Sequence, residues 1–236
     1  MKIQDKTILV TGANRGIGRA LVEEALKRGA KRIYAGTRTP FTHSDPRVVN
    51  ILLDVTDEEQ IRKAAASIDT LDILINNAGV AFYDDLSDRA MIERHLAVNL
   101  FGIYSLTQAF MPQLIKSKGA IVNNLSIVAL APFPPIASYS ISKAAAFSLT
   151  QSLRAFLASK GVKVQAILTG PVDTDMNRGL DIPKAPPELA AAEIFDGVER
   201  GDEEIFPDPM SASMAESWRG GVAKAMERQN AAAVAG

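Results

Sequence analysis

Short apolar runs alternate with amphipathic stretches along all 236 residues, and this alternation narrows the possible folds more than any other feature of the chain. An apolar run of four to eight residues suits a buried strand, and longer stretches with apolar residues three and four apart suit helices. Residues 7–10, 32–35, 48–53, 72–75, 120–125, 162–168 and 204–206 read as strands. Residues 16–28, 57–68, 90–115, 138–160, 187–199 and 214–229 read as helices, the first ended by Gly29 and the second opened by Thr56 or Asp57. Strands joined through helices form a parallel sheet covered on both faces, and right-handed crossovers make it a doubly wound α/β (Rossmann) fold. Residues 36–47 are few and hold two prolines, so a tight loop is predicted there. No linker or repeat divides the chain. A single domain over 1–236 is expected, with a cofactor half at about 1–120, a catalytic and substrate half at about 121–210, and a terminal helix and frayed AAAVAG tail at about 211–236.

Composition removes several functions. Lys plus Arg (26) nearly equals Asp plus Glu (27) and no basic cluster stands out, which speaks against nucleic acid. The chain has no cysteine and only His43 and His95, so thiolate chemistry is excluded and no metal site is expected. Neither a signal peptide nor a bilayer-spanning run is read, so no membrane partner and a reducing, cytoplasmic setting are expected.

Two motifs carry chemistry. TGANRGIG, residues 11–18, lies between the first strand and the first helix. Gly12 permits the sharp turn, Gly16 lets backbone approach a pyrophosphate, and Gly18 lets helix pack on sheet. The helix N-terminus then offers free N–H groups to phosphate, with Asn14, Arg15 and Ile17 on the same loop. A merely connecting Gly-rich turn is the duller alternative. An acid at the end of the second strand would select NAD. Gly36, Thr37 and Arg38 stand there instead, and Arg15 adds a second guanidinium, so NADP(H) is predicted. Either arginine taken singly also suits a solvated surface charge. The second motif is YSISK, residues 139–143, which places Tyr139 and Lys143 one helical turn apart. An ammonium beside a phenol favours the phenolate and so acidifies it for proton transfer. Ser126 lies upstream of the tyrosine on the end of a strand.

With these motifs in this order, residues 6–176 strongly resemble the short-chain dehydrogenase/reductase family in its compact form. TGANRGIG matches the family's Thr-Gly-x-x-x-Gly-x-Gly. LDVT (53–56) resembles the adenine segment, with Asp54 meeting the ring amine and Val55 beside it. NNAG (76–79) matches the motif whose Asn77, Ala78 and Gly79 border the adenine ribose. Asn99 in VNLFG matches the helix asparagine, and Ser126, Tyr139 and Lys143 match the catalytic set. TGPVDT (169–174) resembles Pro-Gly-x-Val-x-Thr, so Gly170, Val172 and Thr174 would hold the nicotinamide carboxamide. Thr169 replaces the usual proline, which predicts a looser turn.

The resemblance implies reduction of a small ketone or aldehyde by NADPH, with Tyr139 as general acid and base. It further implies that Lys143 lowers the tyrosine pKa and binds ribose, that Ser126 binds the substrate oxygen, and that Asn99 holds the lysine through a water and extends a proton relay. A 3-oxoacyl carrier or CoA reductase and a non-enzymatic NADP sensor or scaffold are the alternatives. Singly, Tyr139 suits a buried aromatic, Lys143 a solvated charge, Ser126 a strand cap and Asn99 a buried amide; jointly those readings lose force. Phe82, Ile127, Val128, Phe133 and Met176 flank the motifs and suit an apolar substrate pocket, or core. A homodimer or homotetramer through the two long helices is expected, because the second carries apolar residues on several faces.

Overall fold

The computed structural model describes residues 1–234. Seven strands form one all-parallel sheet in the order β3-β2-β1-β4-β5-β6-β7. They are β1 (Thr7–Thr11), β2 (Arg32–Thr37), β3 (Val48–Leu52), β4 (Ile73–Asn76), β5 (Ala120–Asn124), β6 (Lys163–Ile167) and β7 (Glu204–Ile205). The central strands are buried nearly throughout, as strands covered on both faces must be. Alternation along β1 divides the core: Ile8 and Val10 face one layer, Leu9 the other. On the first face lie α1 (Gly16–Lys27) and α6 (Pro187–Arg200), which pack on each other. On the second lie α2 (Glu58–Ser67), α4 (Ile103–Ser117) and α5 (Ala137–Ala158), with α3 (Arg89–Leu96) leading into α4. Asp57 caps α2, accepting the N–H groups of Glu59 and Gln60. The strand order reverses between β1 and β4, where the chain leaves the sheet toward opposite sides and opens a crevice at the carboxyl ends of the strands.

Residues 38–47 hold no helix, consistent with the short loop read from the sequence. The structure departs from the sequence reading at two helices. The stretch 90–115 is not uniform: a π-helical turn, Ala97–Gly102, interrupts it and carries Asn99. Gly102 fits there because a Cβ would lie 2.8 Å from Val55 Cγ2. The terminal stretch 214–229 is broken at Gly220 and Gly221 into α8 (Ala215–Arg219) and α9 (Val222–Ala231), after a one-turn α7 (Pro209–Ala212). The expected AAAVAG tail begins as the last residue of α9 and a 3₁₀ turn at Ala232–Val234; residues 235–236 lie outside the described residues. This C-terminal segment is locked onto α5 by ions. Lys224, 1% exposed, donates to Glu204 and Glu227 at 2.9 Å and pairs with Glu203 at 2.8 Å, while Arg154 of α5 pairs with Glu204 and Glu227. Burying such charges is tolerable only when each finds partners, and each does here. Among the described residues, no helix is long and apolar enough to cross a membrane.

The tightest approach in the glycine loop lies at Gly18, where a Cβ would sit 2.1 Å from the Gly12 carbonyl oxygen and 2.6 Å from Asn77 Nδ2. Backbone cannot yield there as a flexible side chain could. Gly18→Ala is expected to destabilise the fold by roughly 2–3 kcal/mol, the upper part of the overpacking range. Urea unfolding is the check: a lower midpoint with an unchanged slope is expected, and an unchanged midpoint would contradict this packing.

Candidate active site

The site lies where β1, β4, β5 and β6 end. Tyr139 and Lys143 sit one turn apart on the first half of α5, both buried, with Lys143 Nζ 5.5 Å from the centre of the Tyr139 ring. Burial pushes the Tyr139 phenol up to about 12, with a Ser126 hydrogen bond pulling the other way. Burial pushes the Lys143 ammonium down to about 8. In the chain without a bound cofactor, desolvation is the largest influence on both groups. The result is a phenol that keeps its proton at neutral pH beside an amine that still carries charge there.

Lys143 is aimed by one direct bond, Nζ to the Asn124 carbonyl at 2.8 Å. Asn99 makes no direct bond to it among the described residues. The Asn99 amide is engaged with Val80, accepting its N–H at 3.0 Å and donating to its carbonyl at 2.9 Å, and it donates to Ser142 Oγ at 2.9 Å. Ser142 in turn donates to the Tyr139 carbonyl at 2.7 Å. Asn99 therefore ties the loop after β4 to the Tyr139–Lys143 turn of α5. Gly79 lies beneath both groups, since a Cβ there would be 3.2 Å from Asn99 Oδ1 and 3.7 Å from Lys143 Nζ. Ser126 Oγ donates to the Thr169 carbonyl at 3.2 Å and accepts from Val128 N–H at 3.3 Å.

Further residues support these, and Asp84 and Asn124 among them were not picked out from the sequence. Asp84 receives the Ser138 hydroxyl at 2.8 Å and the Ser138 N–H at 3.1 Å, capping α5 from another loop. Desolvation would raise the Asp84 carboxyl, but these bonds hold it below its ordinary range. His95, fully buried, accepts the Phe82 N–H at Nε2 and pairs through Nδ1 with the Met91 carbonyl, which assigns the neutral Nδ1–H tautomer. Its ring stands edge-on to Tyr139 at 6.2 Å. Asn124 Nδ2 donates to Asn77 Oδ1, and Asn77 Nδ2 reaches the carbonyls of Thr11 and Gly12. Thr169 is buried, and its hydroxyl donates to the Leu125 carbonyl at 3.2 Å. Replacing proline by threonine thus adds a tether, correcting the expected looser turn.

The glycine loop fits a dinucleotide phosphate. Gly12 and Gly16 have φ of 65° and 53°, values that side chains resist. Arg15 precedes α1 without a side-chain cap and no acid stands in the first turn, so the N–H groups of Gly16, Ile17 and Gly18 remain free for an anion. Gly16 faces Thr174, whose Cγ2 lies 3.1 Å from a Cβ built there, so loop and turn meet around one crevice. Asn14 is exposed on the loop. Arg38 is exposed directly after β2 with no ion pair among the described residues, and Arg15 is exposed with one contact to Asp175 at 3.4 Å. Thr37 is buried, its hydroxyl donating to the Thr39 carbonyl and accepting from Asn50, so it braces the loop. Asp54 Oδ1 accepts both the N–H and the hydroxyl of Thr56. Val55 packs into the core against Gly102. Ala78 N–H, like Asn77 N–H, donates to Thr11 Oγ1. Gly170 N–H donates to Asp208, and Val172 is buried with its carbonyl accepting from Asn177.

The residues read as a substrate pocket divide. Phe82, Ile127 and Val128 are half-buried beside the site, whereas Phe133 and Met176 are about half exposed. Ile127 also packs on the core cluster that includes Leu125 and Phe147, with Trp218 of the C-terminal segment against the same cluster.

Residues 6–184 match the family model described as short chain dehydrogenase. The chain belongs to the short-chain dehydrogenase/reductase family of oxidoreductase enzymes. A short chain dehydrogenase from Burkholderia cenocepacia J2315, solved in complex with NADP, superposes with a TM-score of 0.89 at 36% identity, covering 97% of this chain and 98% of that one. An NADPH-bound carbonyl reductase from chicken fatty liver superposes with a TM-score of 0.75 at 29% identity, covering 81% and 86%. The 3-oxoacyl-[acyl-carrier-protein] reductase of Aquifex aeolicus is 35% identical over 193 residues, 75% of this chain and 77% of that protein.

Burial of Lys143 carries a cost. Its folded pKa of about 8 lies below the ordinary 10.5, so at neutral pH the fold carries a buried charge it disfavours. That cost is fully present below about pH 8 and is relieved as pH rises toward 10.5. Lys143→Met is therefore expected to stabilise the fold by about 1–2 kcal/mol at pH 7, after loss of the bond to Asn124. Thermal unfolding at pH 7 measures this. A higher Tm is expected, and a lower one would contradict the buried-charge account.

Proposed function

We propose that this enzyme reversibly reduces the carbonyl group of a small ketone or aldehyde to an alcohol, using NADPH. The observation that carries the reading is the convergence of Tyr139, Lys143, Ser126 and the turn 169–174 on the crevice whose floor is the uncapped glycine loop. The dinucleotide, once bound, supplies the hydride. Gly16, Ile17 and Gly18 would hold its pyrophosphate, Asp54, Asn77, Ala78 and Gly79 its adenosine, and Val172 and Thr174 its carboxamide. Asp175 and a 2′-phosphate would compete for Arg15, with Arg38 adjoining. The lack of an acid at 36–38 and the two exposed guanidiniums favour the phosphorylated cofactor. The NADP and NADPH in the two solved relatives support the same choice.

Tyr139 keeps its proton across the neutral range and gives it to the substrate oxygen as negative charge grows there. Ser126 turns its hydroxyl from the Thr169 carbonyl to donate to the same oxygen. The Lys143 ammonium stabilises the phenolate left behind, and its charge is lost as pH rises through about 8. Asn99 and Asp84 keep the walls of the site registered with α5.

A 3-oxoacyl thioester is the second substrate reading, favoured by the Aquifex relative. It would call for a basic patch at the mouth to meet carrier acids, and the sequence offers no clear one. A sensor or scaffold would not need the complete Tyr–Lys–Ser set. We further propose a homodimer or homotetramer, supported by the exposed apolar residues Phe101 and Tyr104 on the α4 side and Ile141 and Phe156 on α5.

NADPH oxidation by the purified protein, followed with a panel of ketones, aldehydes and 3-oxoacyl thioesters, tests the reading. Turnover of simple carbonyls with NADPH strongly preferred over NADH is expected. Tyr139→Phe should lower kcat by roughly 100-fold or more with little change in NADPH affinity. Normal turnover by that variant, or equal kcat/KM for the two cofactors, would contradict the reading.

A further inference from the structure

Asp208 is a carboxylate only 4% exposed, and among the described residues no lysine or arginine pairs with it. Its charge is held by hydrogen bonds alone. Oδ2 accepts the Gly170 N–H at 2.7 Å and the Ser211 hydroxyl at 2.7 Å, and Oδ1 accepts the Ser211 N–H at 3.0 Å. Part of this is helix capping, since Asp208 caps the four-residue α7. A serine or asparagine would cap as well, without burying a carboxylate that has no cation beside it. The carboxylate therefore calls for a reason beyond the cap.

Gly170 supplies one. A Cβ at that position would lie 2.5 Å from Asp208 Oδ1, so the glycine is dictated by the carboxylate seated against it. The N–H that Asp208 accepts belongs to the same peptide group as the Thr169 carbonyl. That carbonyl accepts the Ser126 hydroxyl at 3.2 Å and the Ile127 N–H at 3.0 Å. One peptide plane is thus held at both ends, by an anion on its N–H side and by Ser126 on its oxygen side. A negative charge on the donor side polarises the peptide and makes its oxygen the stronger acceptor.

We propose that Asp208 is a positioning residue for the reaction, acting through the Thr169–Gly170 peptide on the rotor of Ser126 and on the turn that follows. The inference rests on the carbonyl-reductase reading above. The polarised carbonyl stores the Ser126 hydroxyl in one direction until a substrate oxygen competes for it. The same bond presents residues 170–174 to the crevice in a fixed orientation. Ser126 and Asp208 belong to segments far apart in the chain, and the C-terminal segment 206–231 thereby reaches the chemistry without touching a reacting atom.

Two variants and two measurements test it. Asp208→Ser retains a capping oxygen for α7 but is too short to reach Gly170, and Asp208→Asn retains the shape without the charge. In protein without cofactor, amide exchange at Gly170 is expected to quicken about tenfold or more in Asp208→Ser relative to Ser211→Ala, which leaves the Gly170 bond in place. Equal exchange in the two variants would overturn the assignment. In ketone reduction with NADPH, Asp208→Asn is expected to lower kcat about tenfold while the KM for NADPH changes less than about twofold. Placed on Ser126→Ala, the same change should add almost nothing. Full additivity of the two losses, or a kcat equal to wild type, would overturn the coupling. A wild-type protein that turns over no carbonyl would fault the reductase reading instead, while the exchange measurement still decides the Asp208–Gly170 link.

Discussion

The bond from Lys143 Nζ to the Asn124 carbonyl, 2.8 Å long and wholly inside the protein, is the constraint on which the site depends. It carries an ammonium from a helix to the end of the central sheet, beside the Tyr139 ring, where water would otherwise hold it. The sheet makes this possible because β5 ends there, leaving a strand carbonyl free for a side chain. Everything near it reads as support for that placement. Ser142 and Asn99 join the Tyr139–Lys143 turn to the loop after β4, Asp84 caps the helix from outside, and His95 braces the wall against the tyrosine.

Amides do much of this bracing. Asn76 donates to Asn123, which donates to Thr150; one layer nearer the crevice, Asn124 donates to Asn77, which donates to the Thr11 and Gly12 carbonyls. The first ladder ties β4 and β5 to α5, and the second crosses from the end of β5 to the residue after β4 and then to the glycine loop, so the lysine anchor and the glycine loop share one hydrogen-bonded frame. The frame is not fully satisfied, since Asn76 Oδ1 and Asn124 Oδ1 are buried without a partner among the described residues. The frame explains how a loop at the head of the chain and a helix past its midpoint present their groups to one crevice.

What the sequence showed and what it hid follow from range. The glycine loop was legible because Gly12, Gly16 and Gly18 are local demands of one strand–turn–helix unit, and Tyr139 with Lys143 because one turn of helix sets their spacing. The capping of α2 by Asp57 was equally local. Asp84 and Asp208 were hidden, since each is an ordinary acid whose meaning lies in a partner 54 or 38 residues away. The π turn at Asn99 was hidden because its apolar pattern matches that of the helices on either side. Thr169 looked like a weakened turn until its hydroxyl was seen to reach the Leu125 carbonyl. Spacing brought the ammonium and the phenol together but could not show that both would be buried, which raises the phenol and lowers the ammonium.

The central claim is that the folded chain by itself stores Tyr139 as a protonated, buried phenol beside a still-charged amine. Its most direct test is the pH titration of the ring carbon bonded to the hydroxyl, by NMR of protein labelled at its four tyrosines, with Tyr139→Phe to assign the signal. The account predicts that the Tyr139 resonance remains that of a phenol past pH 10, titrating near 12. A phenolate resonance for Tyr139 at neutral pH in the protein without cofactor would contradict it.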